Sequence, residues 1–123
     1  MGTRGTIEFY TSKEDLYNPA TLLCTVYEHF DMYLEGFKEK LLAAINYQFN
    51  EQRQLSVSFL ITNPNSELTI SSELHGDLEY KYQIFGSSPY GKDSTISVYK
   101  WNFNEDCWKQ IVDNEKIESF LSL

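Results

Sequence analysis

The chain has 123 residues, 41% hydrophobic and 23% charged, which suits one packed α+β domain over 1–123 and does not suit disorder. A formal net charge of −8 with no cluster of Lys and Arg argues against direct nucleic-acid binding, because holding a polyanion needs a basic patch that releases counterions. No apolar run reaches membrane-spanning length and no signal-peptide pattern opens the chain, so the expectation is a cytoplasmic protein with no membrane partner.

Thr6 to Tyr10 alternates Ile7 and Phe9 with polar neighbours and reads as a strand, followed by a polar connector carrying Asn18-Pro19. Thr21 to Phe30 reads as a second strand, apolar on both faces in its first half and therefore interior to the sheet. The period then changes: Leu34, Phe37, Leu41, Ile45 and Phe49 recur at helical spacing and predict a long amphipathic helix over about 34–49. Asp31 stands near its start, where a carboxylate meets unpaired N–H groups.

Period two returns afterwards. Leu55, Val57, Phe59 and Ile61 predict a strand, then Leu68 to Leu74 another, with Thr62 to Ser66 as the turn between them. Leu78 to Phe85 and Thr95 to Phe103 read as strands joined by the loop 86–93; Trp108 to Val112 reads as the last, with Asp113 capping a closing helix over 114–122. Short connections favour an antiparallel meander. The expected order is strand, strand, helix, several strands, helix, with the long helix packed on one face of a mostly antiparallel sheet.

Candidate chemistry centres on Tyr27-Glu28-His29-Phe30-Asp31-Met32-Tyr33. Tyr27 and His29 share a strand face, and a carboxylate from Asp31 beside the imidazole would fix its tautomer and raise its basicity. No nucleophile motif accompanies the pair, so no catalytic residue is assigned and no enzyme is expected. The plainer alternative makes His29 the end of a strand and Asp31 the helix start. His29, His75, Cys24 and Cys107 lack ligand spacing, so neither a metal nor a cofactor is expected. The Gly86 to Asp93 loop has Asp93 where a P-loop needs Ser or Thr, and it joins strands. Aromatic residues make up 15% of the chain. Tyr80 and Tyr82 on one strand, with Tyr99, Trp101 and Phe103 on the next, form either core layers or an exposed face for an interaction or a dimer.

The run Tyr27, His29, Asp31, Tyr33, Gly36 resembles a motif of small phage, prophage and large-DNA-virus proteins, approximately Tyr-x-His/Gln-x-Asp-Gly-Tyr-Pro-x-Gly, that ends a strand and opens a helix. The strand Gly76 to Ile84 and the closing stretch Lys116 to Leu121 look like later parts of the same family. Met32 stands in place of the family's Gly and Leu34 in place of its Pro, so the turn is built differently here. The resemblance implies a viral accessory protein rather than a reaction. The leading expectation is therefore a non-enzymatic protein that binds a host protein and antagonises a defence system. Its candidate contacts are Tyr27, His29, Asp31, Tyr33, Tyr80, Tyr82, Tyr99 and Trp101. Two alternatives stand beside it. One is a nucleotide-signal binder using Arg53, Lys81, Lys92 or Lys100 for phosphates; the other is an acidic nuclease inhibitor presenting Glu28, Asp31, Glu35 and Glu39.

Overall fold

Alternation of Ile7 and Phe9 with Thr6, Glu8 and Tyr10 makes Gly5–Tyr10 a strand, β1, with one apolar and one polar face. In the computed structural model, which describes residues 3–11, 21–47, 54–88, 90–91 and 93–122, β1 sits inside a mixed six-stranded sheet. The other strands are β2 (Leu22–Glu28), β3 (Glu67–Thr69), β4 (Tyr80–Phe85), β5 (Thr95–Asn102) and β6 (Cys107–Lys116), in the spatial order β3-β2-β1-β4-β5-β6. Every pairing is antiparallel except β1 with β4, which is parallel.

The expected meander is thus interrupted. After β3 the chain must cross β2 and β1 to reach β4. It does so over the face opposite the helices, through residues 70–79 and a 3-10 helix at Ser72–Leu74. Of the strand expected over 68–74 only Leu68 and Thr69 pair with the sheet, together with Glu67 before them.

The amphipathic stretch forms helix α1, Leu34–Tyr47, with Phe37, Leu41 and Ala44 buried. Residues 48–53, including Phe49 and Arg53, lie outside the described residues, as does Lys92. Leu55–Thr62, expected as a strand, is instead a second helix, α2. Leu55 and Phe59, one helical turn apart, are both wholly buried, and the buried Ser56 and Ser58 occupy little volume between them. Asn63 ends α2, its backbone N–H and side-chain Nδ2 both donating to the Phe59 carbonyl, with Pro64 following.

The closing helix, α3, is shorter than expected. It spans Ile117–Leu121, and Asp113 and Asn114 belong to β6, where Asn114 has φ 49° at a bulge opposite Ser97. The three helices cover one sheet face. Ile7, Phe9, Val26, Tyr82, Ile84, Ile96 and Val98 meet Phe37, Leu41, Leu55, Phe59 and Phe120 there, with the Phe37 and Tyr82 rings stacked at 3.7 Å. No helix among the described residues is long and apolar enough to cross a membrane.

Candidate binding site

The other sheet face carries the polar half of every alternation. Register aligns it in cross-strand rows. One row reads Thr69, Thr25, Glu8, Gln83, Ser97 across β3, β2, β1, β4 and β5; the next reads Glu67, Tyr27, Thr6, Lys81, Tyr99 and Gln110. A sheet face this polar would ordinarily be wet. Here the 70–79 crossover lies over it, so its middle is buried: Thr6, Thr25 and Gln83 are all under 9% exposed.

Glu8 organises that covered zone. Its Oε1 accepts from the Tyr10 hydroxyl at 2.8 Å and from Gln83 Nε2 at 3.0 Å, and its Oε2 accepts from Ser72 Oγ at 2.6 Å. Ser72 has one proton and gives it to Glu8, so the 2.8 Å contact between Ser72 and Thr6 must have Thr6 Oγ1 as donor. The chain Thr6 to Ser72 to Glu8 pins the crossover to the sheet. Burial, followed by the Glu8 charge and hydrogen bond, pushes the Tyr10 phenol well above its ordinary value.

Two hollows open beside the pinning point, with Ser72, Glu73 and Lys81 in the walls of both. The first, of about 340 Å³, is bounded by Trp101, Trp108, His75 and Leu78. Its tryptophan rings meet edge to face at 5.3 Å, and the Lys81 ammonium lies 5.2 Å from the Tyr99 ring and 5.0 Å from that of Trp108. The second, of about 370 Å³, lies over the row of Thr25, Glu8 and Gln83. On its rim Ile70 is 86% exposed, and Leu74 on the crossover is also exposed.

The residues singled out from sequence divide among three places. Tyr27 lies on the crossover face, buried, its hydroxyl donating to Asp77 at 3.0 Å and its ring stacked on His75 at 4.1 Å. His29 meets the Tyr27 ring edge at 4.6 Å, but its carboxylate neighbour is Glu67 at 3.4 Å. Asp31 turns away with φ 61° and lines a separate hollow with Glu28 and Lys40. The His29–Asp31 dyad therefore does not form. Nor does Asp31 take the N-cap position: Phe37 N–H bonds to the Tyr33 carbonyl, which makes the exposed Tyr33 the residue at which α1 begins. Asp31 instead sets the turn, with its carbonyl oxygen against Gly36, where a Cβ would lie 2.2 Å from it. Tyr80 and Tyr82 point under the helices, and the Tyr82 hydroxyl donates to the Met32 carbonyl. Tyr99 and Trp101 stand on the crossover face, whereas Phe103 leaves the sheet in the exposed turn after β5.

Glu28 is 3% exposed and paired with Lys40, with Nζ to Oε2 at 3.3 Å, so it is not available to imitate a phosphate. Burial pushes the Cys24 thiol above its usual value, which disfavours the reactive thiolate. Among the described residues no group of His, Cys, Asp and Glu is placed to hold a metal ion. Glu8, Thr25, Ser72, Gln83 and Trp108 were missed as site residues. Glu8, Thr25, Gln83 and Trp108 signal in the sequence only as polar or aromatic positions on a strand, and Ser72 reaches Glu8 from distant chain. Set against known proteins, the chain matches no family model, no curated protein and no solved structure.

Proposed function

We propose that this chain is a non-enzymatic accessory protein of the viral kind its Tyr27 to Gly36 motif resembles, acting in the host cell interior by binding a host protein. The contact surface is the crossover face. The observation that carries this is exposed Ile70 on the rim of one hollow and exposed Leu74 on the crossover, together with the partly exposed Trp101 and Trp108 that wall the other hollow. Exposed apolar groups gathered around aromatic anchors and rimmed by charge are the composition of an interface core rather than of inert surface. The net charge of −8 favours a basic partner and fast, salt-sensitive encounter.

The test is a quantitative pulldown from host lysate with the parent and an Ile70→Asp/Leu74→Asp variant. One stoichiometric partner retained by the parent and lost by a variant with unchanged circular dichroism is the expected result. Equal recovery by both would remove this face from the proposal. A second reading, sequestration of a nucleotide signal, is favoured by one observation: Trp101 and Trp108 offer stacking surfaces beside Lys81. A thermal-shift screen with cyclic nucleotides separates the two, since stabilisation that grows with nucleotide concentration belongs only to the second.

A further inference from the structure

A further hollow lies at the corner of the sheet, on the face the helices cover and away from the crossover. Lys100 follows Ile96 and Val98 on that face of β5, and register sets it directly opposite Lys109 of β6. α3 sits at the other end of this strand pair, where the Ile117 N–H bonds to the Ser94 carbonyl, so the lysine pair lies at the end away from it. There the two lysines, with Asn102, Phe103, Asn104 and Ile111, wall a space of about 370 Å³. Phe103 is 68% exposed and Ile111 44%. The chain has 18 Asp and Glu against 10 Lys and Arg, yet no carboxylate stands among the described walls of this hollow, whereas each of the other three has at least one.

Like charges set directly opposite on neighbouring strands repel, and an anion between them removes that cost. Lys109 bonds to Glu105 at 2.8 Å, but an ammonium has three donors and both side chains of that pair are about half exposed, so it stays open to a second acceptor. The Lys100 ammonium lies 5.7 Å from the centre of the Tyr80 ring, which holds it on this face. Phe103 and Ile111 add an apolar wall beside the charges. The ligand these walls complement is an anion joined to an apolar group. Strand geometry favours a polypeptide over a small molecule. The Trp101 N–H donates to the Glu79 carbonyl, just ahead of β4, so the backbone polar groups of its cross-strand partner Trp108 point away from β5. Those of Gln110, opposite Tyr99, do the same. β6 ends the sheet, and no strand among the described residues pairs with this outer edge. An extended segment laid along it presents alternate side chains to the hollow, one opposite Lys109 and the next opposite Ile111.

We propose that this corner binds an extended segment of a partner polypeptide in which an Asp or Glu reaching Lys100 and Lys109 alternates with an apolar side chain that packs on Phe103 and Ile111. The site is separate from the crossover face, so the two proposals fail independently. The probes are a short capped peptide with a central Glu-Thr-Ile, the same peptide with Gln in place of Glu, the same with Ser in place of Ile, and free hexanoate. Each is titrated into the full chain by amide NMR. Saturable shifts at Lys109, Gln110 and Ile111 are expected with the first peptide, and affinity at least about tenfold lower with the Gln and Ser peptides. Lys100→Gln/Lys109→Gln and Phe103→Ser change exposed side chains. Both variants are expected to keep the parent's circular dichroism and to weaken binding at least about tenfold. Ile70→Asp/Leu74→Asp is expected to bind the peptide as the parent does. Absence of saturable shifts, equal binding of the Gln peptide, or undiminished binding by either corner variant would overturn the assignment. Hexanoate bound as tightly as the peptide would overturn the choice of a polypeptide, and self-association of the parent that the lysine variant loses would give the corner to a second copy of this chain instead.

Discussion

A carboxylate over the middle of a sheet is tolerated only when donors replace its water. Glu8 has three, and one of them, Ser72, arrives from the crossover, 64 residues along the chain. Ser72→Ala would leave Glu8 Oε2 short of a donor and Thr6 Oγ1 without an acceptor. The expected loss is about 1–3 kcal/mol in urea unfolding. In a Glu8→Gln background the same change should cost measurably less, because the two residues share one network. A second residue-scale test lies at the strand-to-helix turn. A Cβ at Gly36 would fall 2.2 Å from the Asp31 carbonyl oxygen, a backbone atom that cannot swing aside. Gly36→Ala should therefore destabilise by at least about 1–3 kcal/mol, whereas Asp31→Gly, which removes a left-handed non-glycine residue, should be neutral or stabilising. The motif around Asp31 and Gly36 was visible in the sequence; its meaning was not. Adjacent letters suggested an imidazole–carboxylate pair, but the positive φ at Asp31 sends the two side chains to different places.

At the scale of elements, α1 and the strands carrying clean alternation could be read directly, because one period dominated each. Leu55–Thr62 could not. Its apolar residues fit period two through Leu55, Val57, Phe59 and Ile61, and period 3.6 through Leu55 and Phe59. Val57, Ile61 and Thr62 are β-branched, so local preference points to a strand. Tertiary packing decides otherwise: the Phe59 ring lies 6.0 Å from Phe9 and 6.3 Å from Phe37, in a space only a helical turn fills from this position. The corresponding peptide, 54–63, should accordingly show no helical circular dichroism in water. In the intact chain Phe59→Ala should cost about 3–5 kcal/mol in chemical denaturation. A helical free peptide would mean that the sequence, not the core, sets this element. The parallel β1–β4 pair was hidden for a different reason. Alternation reports which residues share a face and says nothing of strand direction, and the crossover that reaches Glu8 reads locally as an ordinary polar turn.

Over the whole molecule, aromatic rings hold the helices to the sheet and their hydroxyls hold the turns. Tyr82, wholly buried, donates to the Met32 carbonyl; Tyr10 donates to Glu8 and Tyr27 to Asp77. In each case burial is the leading cause that raises the phenol's pKa, with the acidic neighbour adding to it for Tyr10 and Tyr27. The native state thus keeps protons that the unfolded chain releases near the ordinary tyrosine value of about 10. Above that pH the folded protein binds more protons than the unfolded one, so stability must fall as pH rises. The contribution is complete below about pH 10 and disappears as pH climbs toward the raised native values. Each buried phenol gives a slope of about 1.4 kcal/mol per pH unit in that window. Tyr82→Phe separates this from general alkaline damage. At neutral pH the variant should be less stable by about 1–3 kcal/mol, because the Met32 carbonyl loses its donor. Above about pH 10 its stability should fall more slowly than the parent's, by one proton's slope, so that the two curves converge. Urea titrations at a series of pH values check this, and parallel curves across the alkaline range would show that Tyr82 carries no linked proton.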